Sequence, residues 1–211
     1  MKKLDKAISR AILLVSLAAA GGAVAGAQER GRSEPRPIKA YPARQTAGQV
    51  TIAVEAYDTG EKVKRAFGKT DPLKLGLVPI FVLIANDSSD ALRLDQIRVQ
   101  LTSAGREIAA AVPADDIRSG RVKPPEIGRS PGPIPGIGRG RKPKDLFEIN
   151  ERAFVAPAVE AGGRAYGFFY FRVARDQLAG ARVYITGLRN ARTGKDLLYF
   201  EISLQANSGG Q

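Results

Sequence analysis

The stretch Leu77-Val78-Pro79-Ile80-Phe81-Val82-Leu83-Ile84-Ala85-Asn86 decides the fold. It is apolar at both parities and rich in β-branched residues. Gly76 bounds it on one side, and Asn86-Asp87-Ser88-Ser89-Asp90 bounds it on the other. A bilayer-crossing helix needs about 20 apolar residues, so this run is too short for one. Its punctuated ends mark a central strand covered on both faces. Pro79 belongs near the start, because proline cannot donate into a β-ladder.

Outward from this strand, alternation takes over. Val50, Ile52 and Val54 alternate with Thr51, Ala53 and Glu55, the period of a half-buried strand. Within residues 92–102, Ile97, Val99 and Leu101 alternate with Arg98, Gln100 and Thr102, and Ser103-Ala104-Gly105-Arg106 predicts a hairpin turn into residues 107–112. Further strands are predicted over 151–157, 165–174, 181–189 and 197–204. In the last of these Leu198, Phe200, Ile202 and Leu204 form the inner side. Residues 58–76 are charged and turn-rich and predict a long connection, and Ala174–Gly180 offers one helical turn. The Asn86–Asp90 segment predicts a turn held by Asx and Ser hydrogen bonds, and Asn86-Asp87-Ser88 also fits the short N-glycosylation pattern.

Seven or eight strands separated by turns predict an all-β fold, an antiparallel two-sheet sandwich. The segments IFVLIANDSSDALRL (80–94), GFFYFRV (167–173), RVYITGL (182–188) and LLYFEISL (197–204) resemble the immunoglobulin-like β-sandwich modules of exported bacterial proteins. The resemblance spans residues 50–204. It belongs to a fold, and no function follows from it. The cysteine pair and the tryptophan of antibody domains are missing, since the chain has neither residue type.

The N-terminus predicts export. Lys2, Lys3, Lys6 and Arg10 precede the apolar Ala11–Ala20, and Ala25-Gly26-Ala27 supplies the small residues of a cleavage site. Residues 1–27 therefore predict a signal peptide and a periplasmic or extracellular protein. No membrane span is expected after cleavage. Residues 28–49 predict a flexible lead-in, 50–205 the β-domain, and 206–211 a frayed tail.

The formal net charge is +12, and its distribution is informative. Residues 118–144 alone carry Arg118, Arg121, Lys123, Arg129, Arg139, Arg141, Lys142 and Lys144 against the single acid Glu126. Their six prolines and six glycines predict a long disordered basic loop interrupting the domain. Segments 50–117 and 145–211 together are nearly neutral. Such a chain reads as a neutral scaffold bearing a basic arm, which disfavours a nucleic-acid fold. The expected partner is an anionic cell-envelope polymer or an acidic protein.

Histidine and cysteine are absent. Ser-His-Asp and Cys-His nucleophilic sites are thereby excluded, as are zinc sites built from those residues. Paired carboxylates could still serve a hydrolase, with Glu151, Glu160 and Glu201 available. The preferred expectation is a non-enzymatic binding module with no catalytic, metal or cofactor residues. An envelope assembly component is the alternative. Besides the loop, the candidate binding residues are Tyr170, Arg172, Arg182, Tyr184 and Tyr199, placed by parity on outward strand faces. Exposed Tyr beside Arg is the composition of recognition surfaces. The rival reading is that these rings simply serve β-propensity or cover a sheet.

Overall fold

The computed structural model describes residues 34–103, 108–113, 116–117, 148–197 and 199–204. The predicted signal peptide at 1–27, the basic loop at 118–144 and the tail at 206–211 lie outside the described residues.

The decisive stretch forms β3 (Val78–Asn86), and every one of its residues is buried. It lies antiparallel between β2 (Val50–Ala56) and β8 (Arg164–Phe171), and β1 (Arg44–Ala47) extends the sheet beyond β2. A second four-stranded sheet runs in the order β11 (Phe200–Ser203), β9 (Arg182–Thr186), β5 (Arg98–Thr102), β6 (Ile108–Ala110). A small third sheet joins β10 (Arg189–Asn190), β4 (Leu92–Arg93) and β7 (Ala158–Val159). The fold is thus predominantly β, and the predicted two sheets are three among the described residues. The run 92–102 divides at Leu94–Ile97, where its first part pairs with β7 and β10 and its second with β6 and β9.

Each side of the first sheet carries its own core. On one side Ile52, Val54, Ile80, Val82, Ile84 and Phe171 pack in one cluster with Val99, Leu101, Val183, Ile185, Phe200 and Ile202 of the second sheet. On the other side Ala53, Phe81, Leu83, Phe168 and Tyr170 join Tyr41, Val63, Phe67, Ile117, Ile149 and Ala153. The sheet register explains the division: Ile80 faces Phe169 across the ladder, while Phe81 faces Phe168. Strand side chains alternate, so each parity serves a different layer.

This second layer corrects two expectations. The connection 58–76 contains a helix, α1 (Gly60–Phe67), whose N-cap Thr59 accepts a hydrogen bond from the Lys62 N–H at 3.4 Å. Val63 and Phe67, one turn apart, are its buried anchors. Val63, Ala66 and Phe67 hold the i, i+3, i+4 spacing of one helix face, but that is a single turn set among charged and turn-forming residues. Contact with the sheet decides the matter instead. The lead-in is likewise not wholly flexible. Residues 44–47 form β1, and Tyr41 is buried, with its ring stacked on Phe81 at 5.8 Å. Arg36 lies 4.6 Å over the Tyr41 ring and pairs with Glu55 at 2.7 Å. Residues 151–157, predicted as a strand, instead follow a helical stretch at 148–151 and form only an isolated bridge at Ala153.

The Asn86–Asp90 turn forms as predicted. The Asn86 amide donates to the carbonyls of Asp90, Val159 and Glu160 at 2.8, 3.2 and 3.1 Å. Its Oδ1 accepts from the Ser88 N–H and hydroxyl. Asn86 is fully buried, so the glycosylation pattern here marks a structural asparagine. The Asp90 carboxylate receives Arg192 at 2.7 and 2.8 Å and Asn190 at 3.0 Å, tying this turn to the one after β10. Those donors hold the Asp90 carboxyl below its ordinary value.

Candidate functional site: an aromatic sheet face and an apolar cleft

In the second sheet, alternation turns Val99, Leu101, Val183, Ile185, Phe200 and Ile202 inward. The opposite parity therefore faces outward, where Tyr184 lies between Gln100 of β5 and Glu201 of β11. Tyr199 is 51% exposed just before β11, and its ring stacks on Tyr184 with centroids 5.0 Å apart. Arg182 donates to Glu201 at 2.7 Å beside this pair. Such cross-strand aromatic contacts contribute roughly 0.5–1.5 kcal/mol beyond burial. The arrangement leaves a ring pair and a compensated ion pair facing solvent. Three of the sequence candidates, Arg182, Tyr184 and Tyr199, thus share one surface.

Tyr170 does not join them. It is 1% exposed, and its hydroxyl donates to the Ile149 carbonyl at 2.7 Å. The expectation that its parity faces solvent is corrected by the second core, which covers that side of β8. Arg172 follows at the same parity. It is half-buried, and its Nε has no hydrogen-bond partner among the described residues. The eight basic candidates of 118–144 lie outside the described residues.

Neighbouring Tyr57 packs edge-on against Phe168 at 4.9 Å. Burial, helped by the Glu55 carboxylate, pushes its hydroxyl up to about 12. Of the candidate acids, Glu201 is engaged by Arg182.

A cleft was not legible in sequence. After β6 the chain crosses from the second sheet to the first: the Ala111 N–H donates to Val99 at 3.2 Å, and the Val112 N–H donates to Tyr170 at 2.7 Å. Residues 152–154 ride along the other half of the β8 edge. There the Phe154 N–H donates to Phe168 at 3.0 Å, and the Phe168 N–H to Arg152 at 2.9 Å. Between these crossings and the start of β5 lies a cleft of about 410 Å³. Phe154 and Phe169, stacked with centroids 5.1 Å apart, are among the residues that line it. Its walls are mostly apolar. Arg98 is the one charged side chain among its described lining residues. The walls come from residues far apart in the chain, so no local pattern announced them.

No family model and no curated protein matches the chain. Among solved structures it is similar to the yjhA protein from Bacillus subtilis, with 11% identity and a TM-score of 0.45, over 78% of this chain and 98% of that one. It is also similar to a conserved hypothetical protein from Bacillus anthracis, with 12% identity and a TM-score of 0.28, over 74% and 92%.

Proposed function

We propose that the chain is an exported, non-enzymatic binding module that docks on an anionic cell-envelope partner. The observation that carries this reading is the stacked Tyr184–Tyr199 pair on the outward face of β9 and β11. Exposed tyrosines offer large contact area at low entropic cost and are enriched at recognition surfaces. The basic residues of 118–144 supply long-range attraction, which makes the partner anionic. The absence of histidine and cysteine supports a binding rather than a catalytic role. The packing of β2, β3 and β8 with β5, β9 and β11 in one core supports an immunoglobulin-like arrangement of these strands.

The test is retention of the chain from Gln28 onward on immobilised dextran sulfate across a salt gradient. Retention is expected to fall steeply with salt, because exposed charges are screened beyond about 8 Å at physiological ionic strength. Neutralising Arg139, Arg141, Lys142 and Lys144 together lowers retention and flattens the salt dependence. Tyr199→Ala weakens it further while lowering the melting temperature by no more than a few degrees. Retention indifferent to salt and to all these substitutions overturns the proposal.

A further inference from the structure

We infer that the cleft between β5, β8 and the 111–113 crossing binds the alkyl chain of a fatty-acid-like carboxylate, with Arg98 as its counter-ion. The volume of about 410 Å³ falls within the range of small-molecule sites, about 300–1,000 Å³. The lining around Val99, Ala111, Val112, Phe154 and Phe169 provides hydrocarbon contact. The wall's backbone donors are already used: Val112, Phe154 and Phe168 each give their N–H to a carbonyl. A peptide strand would find few free partners there, whereas an alkyl chain needs none.

Charge selects the head group. Arg93, Arg182, Arg189 and Arg192 are each paired with a carboxylate at 2.9 Å or less. Arg98 is exposed, lines the cleft, and forms no ion pair among the described residues. A guanidinium beside an apolar slot fits a carboxylate through two parallel hydrogen bonds. This inference does not rest on the aromatic face, although Gln100 of the lining is the cross-strand neighbour of Tyr184.

The experiment titrates the chain from Gln28 onward with decanoate and with decanol, following the alanine methyl signals by NMR. Saturable shifts are expected at Ala110, Ala111 and Ala153, with decanoate binding more tightly than decanol. Arg98→Glu should weaken decanoate at least about tenfold, the equivalent of about 1.4 kcal/mol, and leave decanol nearly unchanged. Ala110→Phe, at an exposed position of the lining, should weaken both. Should that variant fail to fold, the methyl map and Arg98→Glu still decide. Tyr199→Ala should leave decanoate binding intact, which separates this site from the aromatic face. Absence of saturable shifts, shifts confined to other alanines, or equal effects of Arg98→Glu on both ligands would overturn the inference. So would binding only to vesicles of anionic phospholipid.

Discussion

At the scale of single residues, Gly167 shows how tightly the chain is drawn around β8. A Cβ built there would lie 2.6 Å from the Phe154 Cα and 2.7 Å from its nitrogen. Both are backbone atoms that cannot swing away, and the hydrogen bonds between 152–154 and Phe168 hold them in place. Gly167→Ala should therefore destabilise the fold by about 1–3 kcal/mol, the usual cost of overpacking. Chemical denaturation would measure it, and an unchanged midpoint would show that residues 153–154 can lift off the strand. Sequence shows this glycine only as a gap between aromatic neighbours. The close approach that requires it comes from a chain segment brought in by tertiary structure. By contrast, Phe200 and Ile202 were legible as inward-facing, because their neighbours Glu201 and Ser203 are polar and exposed. Period-2 contrast reveals a face only where one side meets water. At Tyr170 both parities are covered, and the contrast vanishes.

At the scale of elements, the same rule separates what was readable from what was not. β2, β5, β9 and β11 each have an apolar side towards the shared core and a more polar side, and their alternation located them. α1 shows only one turn of helical period and β1 has no large apolar residue, so β1 owes its form to its pairing with β2 and α1 to the layer it builds over the sheet. That layer has a measurable signature in Tyr57, between α1 and β2. Its hydroxyl is held neutral by burial, with the folded value raised to about 12 from an ordinary 10.0. A raised value means that the unfolded chain releases its proton first as pH rises. Stability from this group is fully present below pH 10 and is lost as pH climbs through about 12. Tyr57→Phe should flatten the alkaline decline of the urea midpoint across that window while leaving neutral stability nearly unchanged. An identical alkaline slope in the variant would place the decline on other groups.

At the scale of the whole molecule, the first sheet is the middle layer, and its two cores use different parts of the chain. The second core holds Ile117 at 1% and Ile149 at 0% exposure, so the chain is anchored on both sides of the basic segment. Loop-closure entropy varies slowly with length. Replacing residues 119–143 with a short Gly/Ser link should therefore preserve the circular dichroism spectrum and shift the melting temperature by no more than a few degrees. An unfolded product would mean that Ile127, Ile134 or Ile137 contributes to the packing. The two-sheet expectation fell short here for a reason visible in β3 itself. A strand apolar at both parities needs a cover on each face, and two sheets alone provide one.

The position of β3 also shapes how the chain comes to be folded. Its partner on one edge, β2, is synthesised before it, with α1 in between, but its partner on the other edge, β8, is synthesised only after residues 87–163. During that interval a β2–β3 pair has α1 and Tyr41 available for one side, but its other apolar face is bare and one edge is unpaired, the pattern that templates intermolecular pairing. The segment that makes the finished domain stable is thus the most hazardous part of the unfinished chain. A secretion route that hands the chain over unfolded would have to keep Val78–Asn86 shielded until its C-terminal third arrives.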